Sequence, residues 1–212
     1  MTELFIATTN RGKLAEIRSE FDAAGLQCLK LRTPSDLANP MEIIEDRPTF
    51  IGNAIKKARS WADATGLAAI ADDSGLCVDA LGGEPGVRSA RYAGEPCDDL
   101  ANNNLVLAKL SHTPADSRQA QFVCAMALAL PGTTLAVFVD KVEGVILTAP
   151  RGENGFGYDP LFLIPHLGRT TAELTMTEKS QLSHRGKALR RLIQWLNTHR
   201  SALAARHANF PA

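Results

Sequence analysis

The sequence predicts an α/β fold, a mixed central β-sheet flanked by helices. Three observations predict it. Short apolar runs alternate with amphipathic helical stretches over the first half of the chain. Two long extended segments follow, joined by Pro131-Gly132, and read as a β-hairpin. A hairpin beside βα alternation requires a mixed sheet rather than a purely parallel one.

The elements follow in order. Leu4-Phe5-Ile6-Ala7-Thr8 reads as a buried strand, and Thr9 to Gly12 as a polar turn. A helix is expected from Lys13, with Leu14, Ile17, Phe21 and Ala24 on one face and Gly25 as its stop. Cys28 to Leu31 suits a second strand, and Thr33 to Pro48, with three prolines, a loop. Thr49 can cap a helix running to about Thr65, with Phe50, Ala54, Ala58 and Trp61 as its apolar stripe. Leu67 to Ala71 reads as a strand ending directly in Asp72-Asp73, with Leu76 to Val78 a further extended piece. Gly82 to Gly86 is a turn region, and Asp98 or Asp99 starts a third helix. Gln119 to Leu130 and Thr134 to Val145 form the hairpin. Arg151 to Gly157 is a loop, Pro160 to Ile164 a short apolar segment, and His184 to about Ala204 a last helix with Leu189, Leu192, Ile193 and Leu196 inward. No repeat or linker interrupts the pattern, so residues 1–212 read as one domain.

Composition narrows the function classes. Hydrophobic residues make up 45% of the 212, which suits a packed core. The 23 basic and 23 acidic residues cancel, which argues against a nucleic-acid or membrane-surface partner but leaves room for a small anionic ligand. Cys28, Cys77, Cys97 and Cys124 have no zinc-type spacing and read as reduced thiols. The Met1-Thr2-Glu3 start lacks a signal-peptide pattern, and the apolar run Phe122 to Leu130 is too short to span a bilayer. A cytoplasmic protein is expected.

Five places carry chemistry. Thr8-Thr9-Asn10-Arg11-Gly12-Lys13 is a strand-to-helix turn whose N–H groups, hydroxyls and cations suit a phosphate; the bland alternative is an ordinary capped helix start. It is not a Walker A loop. Asp72-Asp73-Ser74-Gly75 sets two carboxylates side by side, which suits Mg²⁺ and an activated water; the alternative is a capped turn. Glu45 can add a metal ligand, and Asn53 and Lys57 share one helix face that can look at phosphate. Gly155-Phe156-Gly157-Tyr158-Asp159 offers a ring to stack on a planar base and a carboxylate to accept its N–H groups, or else a hydrophobic plug. Lys179, Ser183, His184 and Arg185 gather donors before the last helix, where Ser183 also suits an N-cap.

Together and in this order, these stretches resemble the non-canonical purine nucleoside triphosphate pyrophosphatases, the inosine/xanthosine triphosphate pyrophosphatase or Ham1-like family. The matching pieces are Ala7 to Lys13, Thr49-Phe50 to Ala58-Arg59, Ala71 to Leu76, Ser89-Ala90-Arg91-Tyr92, Phe156 to Pro160, and Lys179 with Ser183-His184-Arg185-Gly186. The resemblance implies Mg²⁺-dependent hydrolysis of ITP, dITP and XTP to the monophosphate and pyrophosphate, clearing deaminated purines before they enter DNA or RNA. It implies a homodimer and a two-lobed fold with the active-site cleft between the lobes. It makes Asp73 the general base, Glu45 and Asp73 the metal ligands, and Lys13 and Lys57 the phosphate-holding cations. The Thr8 to Lys13 turn and Ser74 would contact the nucleotide, and Phe156, Gly157, Tyr158, Asp159, Lys179, His184 and Arg185 would form the base pocket. Thr9 and Ile44 depart from the family pattern, where glycine and a second glutamate are usual, and Glu42 stays open as the alternative to Glu45. Two rival readings are a nucleotide-binding regulator and a phosphohydrolase of different specificity.

Overall fold

The computed structural model describes residues 3–27 and 29–206, those from 200 on as backbone only. β1 (Glu3–Ile6) buries Leu4, Phe5 and Ile6, so both of its faces are covered. The chain then turns into α1 (Arg11–Ala23), which starts two residues before the expected Lys13 because Asn10 caps it, its side chain accepting the Lys13 N–H at 2.9 Å. Ile17 and Phe21 are buried as the stripe requires, whereas Ala24 is exposed beyond the helix end.

β2 (Lys30–Arg32) pairs parallel with β1. Cys28, the expected start of this strand, lies outside the described residues. After a 3₁₀ turn at Pro34–Asp36 the chain is irregular up to α2 (Phe50–Thr65). That helix has the predicted limits. Thr49 accepts the Gly52 N–H at 3.1 Å, Gly66 closes it in the left-handed conformation, and Ala54, Ala58 and Trp61 are buried.

β3 (Ala69–Val78) corrects an expectation. The sequence suggested a strand ending at Ala71, a turn at Asp72 to Gly75 and a second extended piece, but the segment is one ten-residue strand. Gly75 serves close approach rather than turning: a Cβ there would overlap Ser89 Oγ and the Gly86 carbonyl. The acidic pair therefore sits within a strand, where the backbone fixes its direction.

α3 (Asp99–Lys109) is capped by Asp98, which accepts the Ala101 N–H at 3.0 Å. β4 (Gln119–Leu130) and β5 (Thr133–Ile146) are sheet neighbours joined through Pro131-Gly132, as the hairpin reading required. Three short elements went unpredicted: β6 (Phe162–Ile164), β7 (Arg169–Thr170) and α4 (Met176–Leu182). α5 (His184–Arg206) buries Leu189, Leu192, Ile193 and Leu196 as expected. Ser183, read as its N-cap, directly precedes α5 with extended backbone and also closes α4, donating its N–H to the Lys179 carbonyl at 2.8 Å.

The strand order is β2-β1-β3-β4-β5-β6-β7. β1 runs parallel to β2 and β3, and β6 antiparallel to β5 and β7, so the sheet is mixed. The chain forms two compact units. One comprises Met1–Asp73, Cys124–Val139 and Gly186–Ala212; the other comprises Ser74–Val123 and Asp140–Arg185. β3, β4 and β5 each contribute to both.

In the first unit, alternation along β1 and β4 divides the core. Leu4, Ile6, Met126 and Leu128 pack with Ile17, Phe21, Leu189 and Leu192 of α1 and α5. Phe5, Ala125, Ala127 and Ala129 pack with Ala54, Ala58 and Trp61 of α2. Phe5 and Trp61 stack with centroids 4.7 Å apart. The second unit has its own core around Leu76, Val106, Phe122, Leu161 and Phe162. Among the described residues no helix is long and apolar enough to cross a membrane, and Cys77, Cys97 and Cys124 form no disulfide.

Candidate active site

In the first unit, β3 brings Asp72 and Asp73 to the end of its share of the strand. Asp72 receives Lys13 from α1, Nζ to Oδ2 at 2.9 Å. Asp73 is buried and accepts a hydrogen bond from Asn53 Nδ2 of α2 at 2.9 Å. One turn further along the same helix face, Lys57 meets Glu45 at 2.6 Å. Asn53 also accepts the Arg47 N–H at 2.9 Å, which fastens the loop carrying Glu45 to the helix that holds Asp73.

The charges at this centre are unequal in comfort. Burial pushes the Asp73 carboxyl up to about 6, and the charge of Glu45 adds to it; Lys57, the Asn53 hydrogen bond and Lys13 pull the other way. Burial works against the Lys57 ammonium, yet Asp72, Glu45 and Asp73 outweigh it and hold its pKa above the ordinary value. A carboxylate poised near neutrality beside two ammonium groups suits a base acting next to phosphate.

The turn before α1 keeps its polar groups at the surface. Thr9, Asn10 and Arg11 are exposed, Thr8 and Gly12 half-buried, and Thr8 Oγ1 accepts the Asn10 N–H at 3.2 Å.

In the second unit, Ser74 accepts a hydrogen bond from Arg185 at 2.7 Å. Phe156 lies under two cations, with Lys179 Nζ 4.8 Å and the Arg185 guanidinium carbon 5.5 Å from its centroid. Asp159 organises this group: it accepts the Phe156 N–H at 2.8 Å, Lys179 at 2.6 Å and Thr171 Oγ1 at 2.8 Å. His184 is buried and stacks on Phe122 at 4.9 Å. Gly157 is held at both ends of its peptide, its N–H donating to Asp99 at 2.7 Å and its carbonyl accepting from Asn103 at 2.8 Å. Tyr158, expected beside the base, is instead buried in the core, and its hydroxyl donates to the Ser89 carbonyl at 2.8 Å.

The structure thus gathers Lys13, Glu45, Lys57 and Asp73 into one group and Ser74, Phe156, Asp159, Lys179 and Arg185 into another. Between the two candidates left open for the second carboxylate, Glu45 meets Lys57 and acts on Asp73, whereas Glu42 is exposed. Sequence reasoning passed over Asn53 as a partner of Asp73, although its place one turn from Lys57 was visible. It placed Ser89 only within a matching stretch and Asp99 only at a helix start, and passed over Asn103 and Thr171 altogether.

The donor set fits Mg²⁺. This cation takes one or two carboxylates and fills its remaining positions with water and phosphate oxygens. Asp73 and Glu45 are two such carboxylates; burial is the main cause that raises Asp73, and the charge of Glu45, which adds to it, is what a divalent cation would offset. Among the described residues no group of three or more His, Cys, Asp and Glu side chains builds a closed metal site.

The mixed sheet defines an α/β protein whose first unit carries a lysine-flanked acidic centre, suited to an anionic group, and whose second carries an aromatic ring under two cations, suited to a planar one. The chain belongs to the Ham1 family, whose model matches residues 4–195. A dITP/XTP pyrophosphatase of Geobacter sulfurreducens is 49% identical over 189 residues, covering 89% of this chain and 94% of the relative. The Ham1 protein of Staphylococcus aureus superposes with a TM-score of 0.82 at 41% identity, over 93% of this chain and all of that one. A nucleoside-triphosphatase/dITP/XTP pyrophosphatase of Mycobacterium abscessus does so with a TM-score of 0.72 at 44% identity, over 90% and 97%.

Proposed function

We infer that this chain hydrolyses non-canonical purine nucleoside triphosphates, dITP, ITP and XTP, to the nucleoside monophosphate and pyrophosphate. It thereby removes deaminated purine nucleotides before incorporation into DNA or RNA. The names of its relatives support the activity and substrate class. The observation that carries the chemistry is the buried Asp73 carboxyl set among Lys13, Lys57 and Glu45.

We propose that Asp73 takes the proton of the attacking water while Lys13 and Lys57 hold the phosphates and stabilise the charge that develops on them. Asp73 and Glu45 would hold Mg²⁺, which when bound neutralises triphosphate charge and acidifies water. Thr8 to Lys13 and Ser74 contact the nucleotide. Phe156 stacks on the base, within the pocket of Gly157, Asp159, Lys179, His184 and Arg185. Lysine and arginine bring only donors, which match O6 of a 6-oxo purine and mismatch the amino group of adenine. A homodimer working in the cytoplasm on the free nucleotide pool completes the proposal.

The test is product analysis. With Mg²⁺ and a panel of ITP, dITP, XTP, dATP, dGTP and dTTP, pyrophosphate and orthophosphate are measured separately. Pyrophosphate is expected from the first three. Orthophosphate as sole product, or equal rates on dITP and dATP, would sink the reading.

A further inference from the structure

The segment Ser74 to Leu76 of β3 reaches Phe156 by two routes within the second unit. The front route is Ser74 Oγ to Arg185, whose guanidinium lies over the Phe156 ring. The back route runs through Ser89. Its Oγ accepts the Leu76 N–H at 2.9 Å and donates to the Gly86 carbonyl at 2.6 Å. Its own carbonyl accepts the Tyr158 hydroxyl at 2.8 Å. Tyr158 is two residues from Phe156 and next to Asp159, which holds the Phe156 N–H and Lys179.

The back route is tightly packed. Ser89 and Tyr158 are both buried. Gly75 packs so closely on Ser89 that any side chain there would collide with its hydroxyl. Losing the phenol takes a buried hydrogen bond from the Ser89 carbonyl, and losing the Ser89 hydroxyl takes one from the Leu76 N–H. The cheapest relief for either is a shift of the loop that carries Phe156 or of the strand that carries Ser74. Such a shift changes the spacing between the ring and the Ser74–Arg185 pair on the front route.

We propose that Ser89 and Tyr158 are positioning residues which set the register between Ser74 on β3 and the Phe156 ring, and so govern discrimination between bases. The inference rests on the substrate reading above. Neither residue touches the substrate; both act through Phe156 and Arg185.

Tyr158→Phe removes one hydroxyl, and Ser89→Ala removes another while leaving the carbonyl that Tyr158 uses. The experiment measures kcat and KM for dITP and for dATP, with the melting temperature, on each variant and on the double variant. For each single variant KM for dITP is expected to rise about fivefold to tenfold, the scale of one buried hydrogen bond, with kcat within about twofold of wild type. The preference for dITP over dATP should fall about tenfold. The double variant should be little worse than the weaker single one, because both break one connected tie. A lower melting temperature with unchanged KM and unchanged preference would reduce the pair to a structural brace and overturn the proposal. So would fully additive effects. If Tyr158→Phe fails to fold, Ser89→Ala alone decides by the same readouts. A wild-type protein that turns over dATP as readily as dITP would instead overturn the substrate reading. The rise in KM on whichever nucleotide it does hydrolyse would then still test the tie.

Discussion

The acidic centre and the aromatic-cation cluster keep charged groups buried by different means. At the acidic centre all the partners but Glu45, which a loop carries, come from regular elements: Lys13 from α1, Asn53 and Lys57 from one face of α2, Asp73 from β3. Charge there stays incompletely matched, and Asp73 is pushed up to about 6 by burial and by Glu45. In the cluster, Asp159 sits on a 3₁₀ turn and Lys179 on a seven-residue helix, yet the two meet at 2.6 Å with Thr171 and a backbone N–H completing the carboxylate. The contrast separates two jobs. A group that must exchange a proton is left unsettled, while groups that must present a fixed shape are fully engaged.

Asp73→Asn breaks that contrast most strongly. Turnover should fall by about two to four orders of magnitude, the usual loss for a general base. The fold should survive and gain stability. A carboxyl whose folded pKa is raised binds its proton more tightly in the native state, so its ionisation costs stability as pH rises from 3.8 through about 6. Asparagine carries no such charge and can still accept from Asn53. Melting at neutral pH in chelator should therefore show a gain of ~1–3 kcal/mol. Retained turnover would remove Asp73 from the base role, and a large loss of stability would show its charge to be well compensated.

Lys179→Ala tests the settled side. It leaves Asp159 buried with Thr171 and the Phe156 N–H as remaining partners and removes one cation from over the ring. Breaking one member of a buried pair costs ~3–5 kcal/mol, here toward the lower end because two hydrogen bonds remain. At a temperature where the variant is folded, KM for ITP should rise. Unchanged kcat/KM would argue against Lys179 in the pocket.

The two regions also differed in what their sequence disclosed. α2 was readable because its cap, its apolar stripe and its terminal glycine all lie within its own span. Lys57 could be placed beside Asn53 by helical spacing alone. β3 was misread because Asp, Asp, Ser and Gly are turn formers locally, while the close packing of Ser89 on Gly75 overrides that preference from a distance in sequence. Tyr158 was expected at the base and is buried in the core because its hydroxyl meets Ser89, 69 residues away. Such partners leave no periodic signal. α4 was different: Thr175 and Glu178 form a capping box, a signal present in the sequence, but the helix has too few turns to show a stripe.

That box yields the smallest effect and bears on how the cluster is supported. Glu178 takes Arg169 at 2.8 Å, the Thr175 N–H at 2.8 Å and the Thr175 hydroxyl at 2.9 Å. The Arg169 contact first, then the Thr175 hydrogen bonds, lower its pKa from 4.5 to about 2. A lowered carboxyl stabilises the fold fully above its unfolded value, and that contribution is lost as pH falls from about 4.5 toward 2. Glu178→Gln keeps the shape without the charge. Its melting temperature should lie slightly below wild type at neutral pH, with the gap closing across that acid window. The gap should also shrink in high salt, since the Glu178 side chain is 39% exposed. Melting curves that stay parallel from pH 7 to pH 2 would show that the α4 cap, and with it the seat of Lys179, does not depend on this charge.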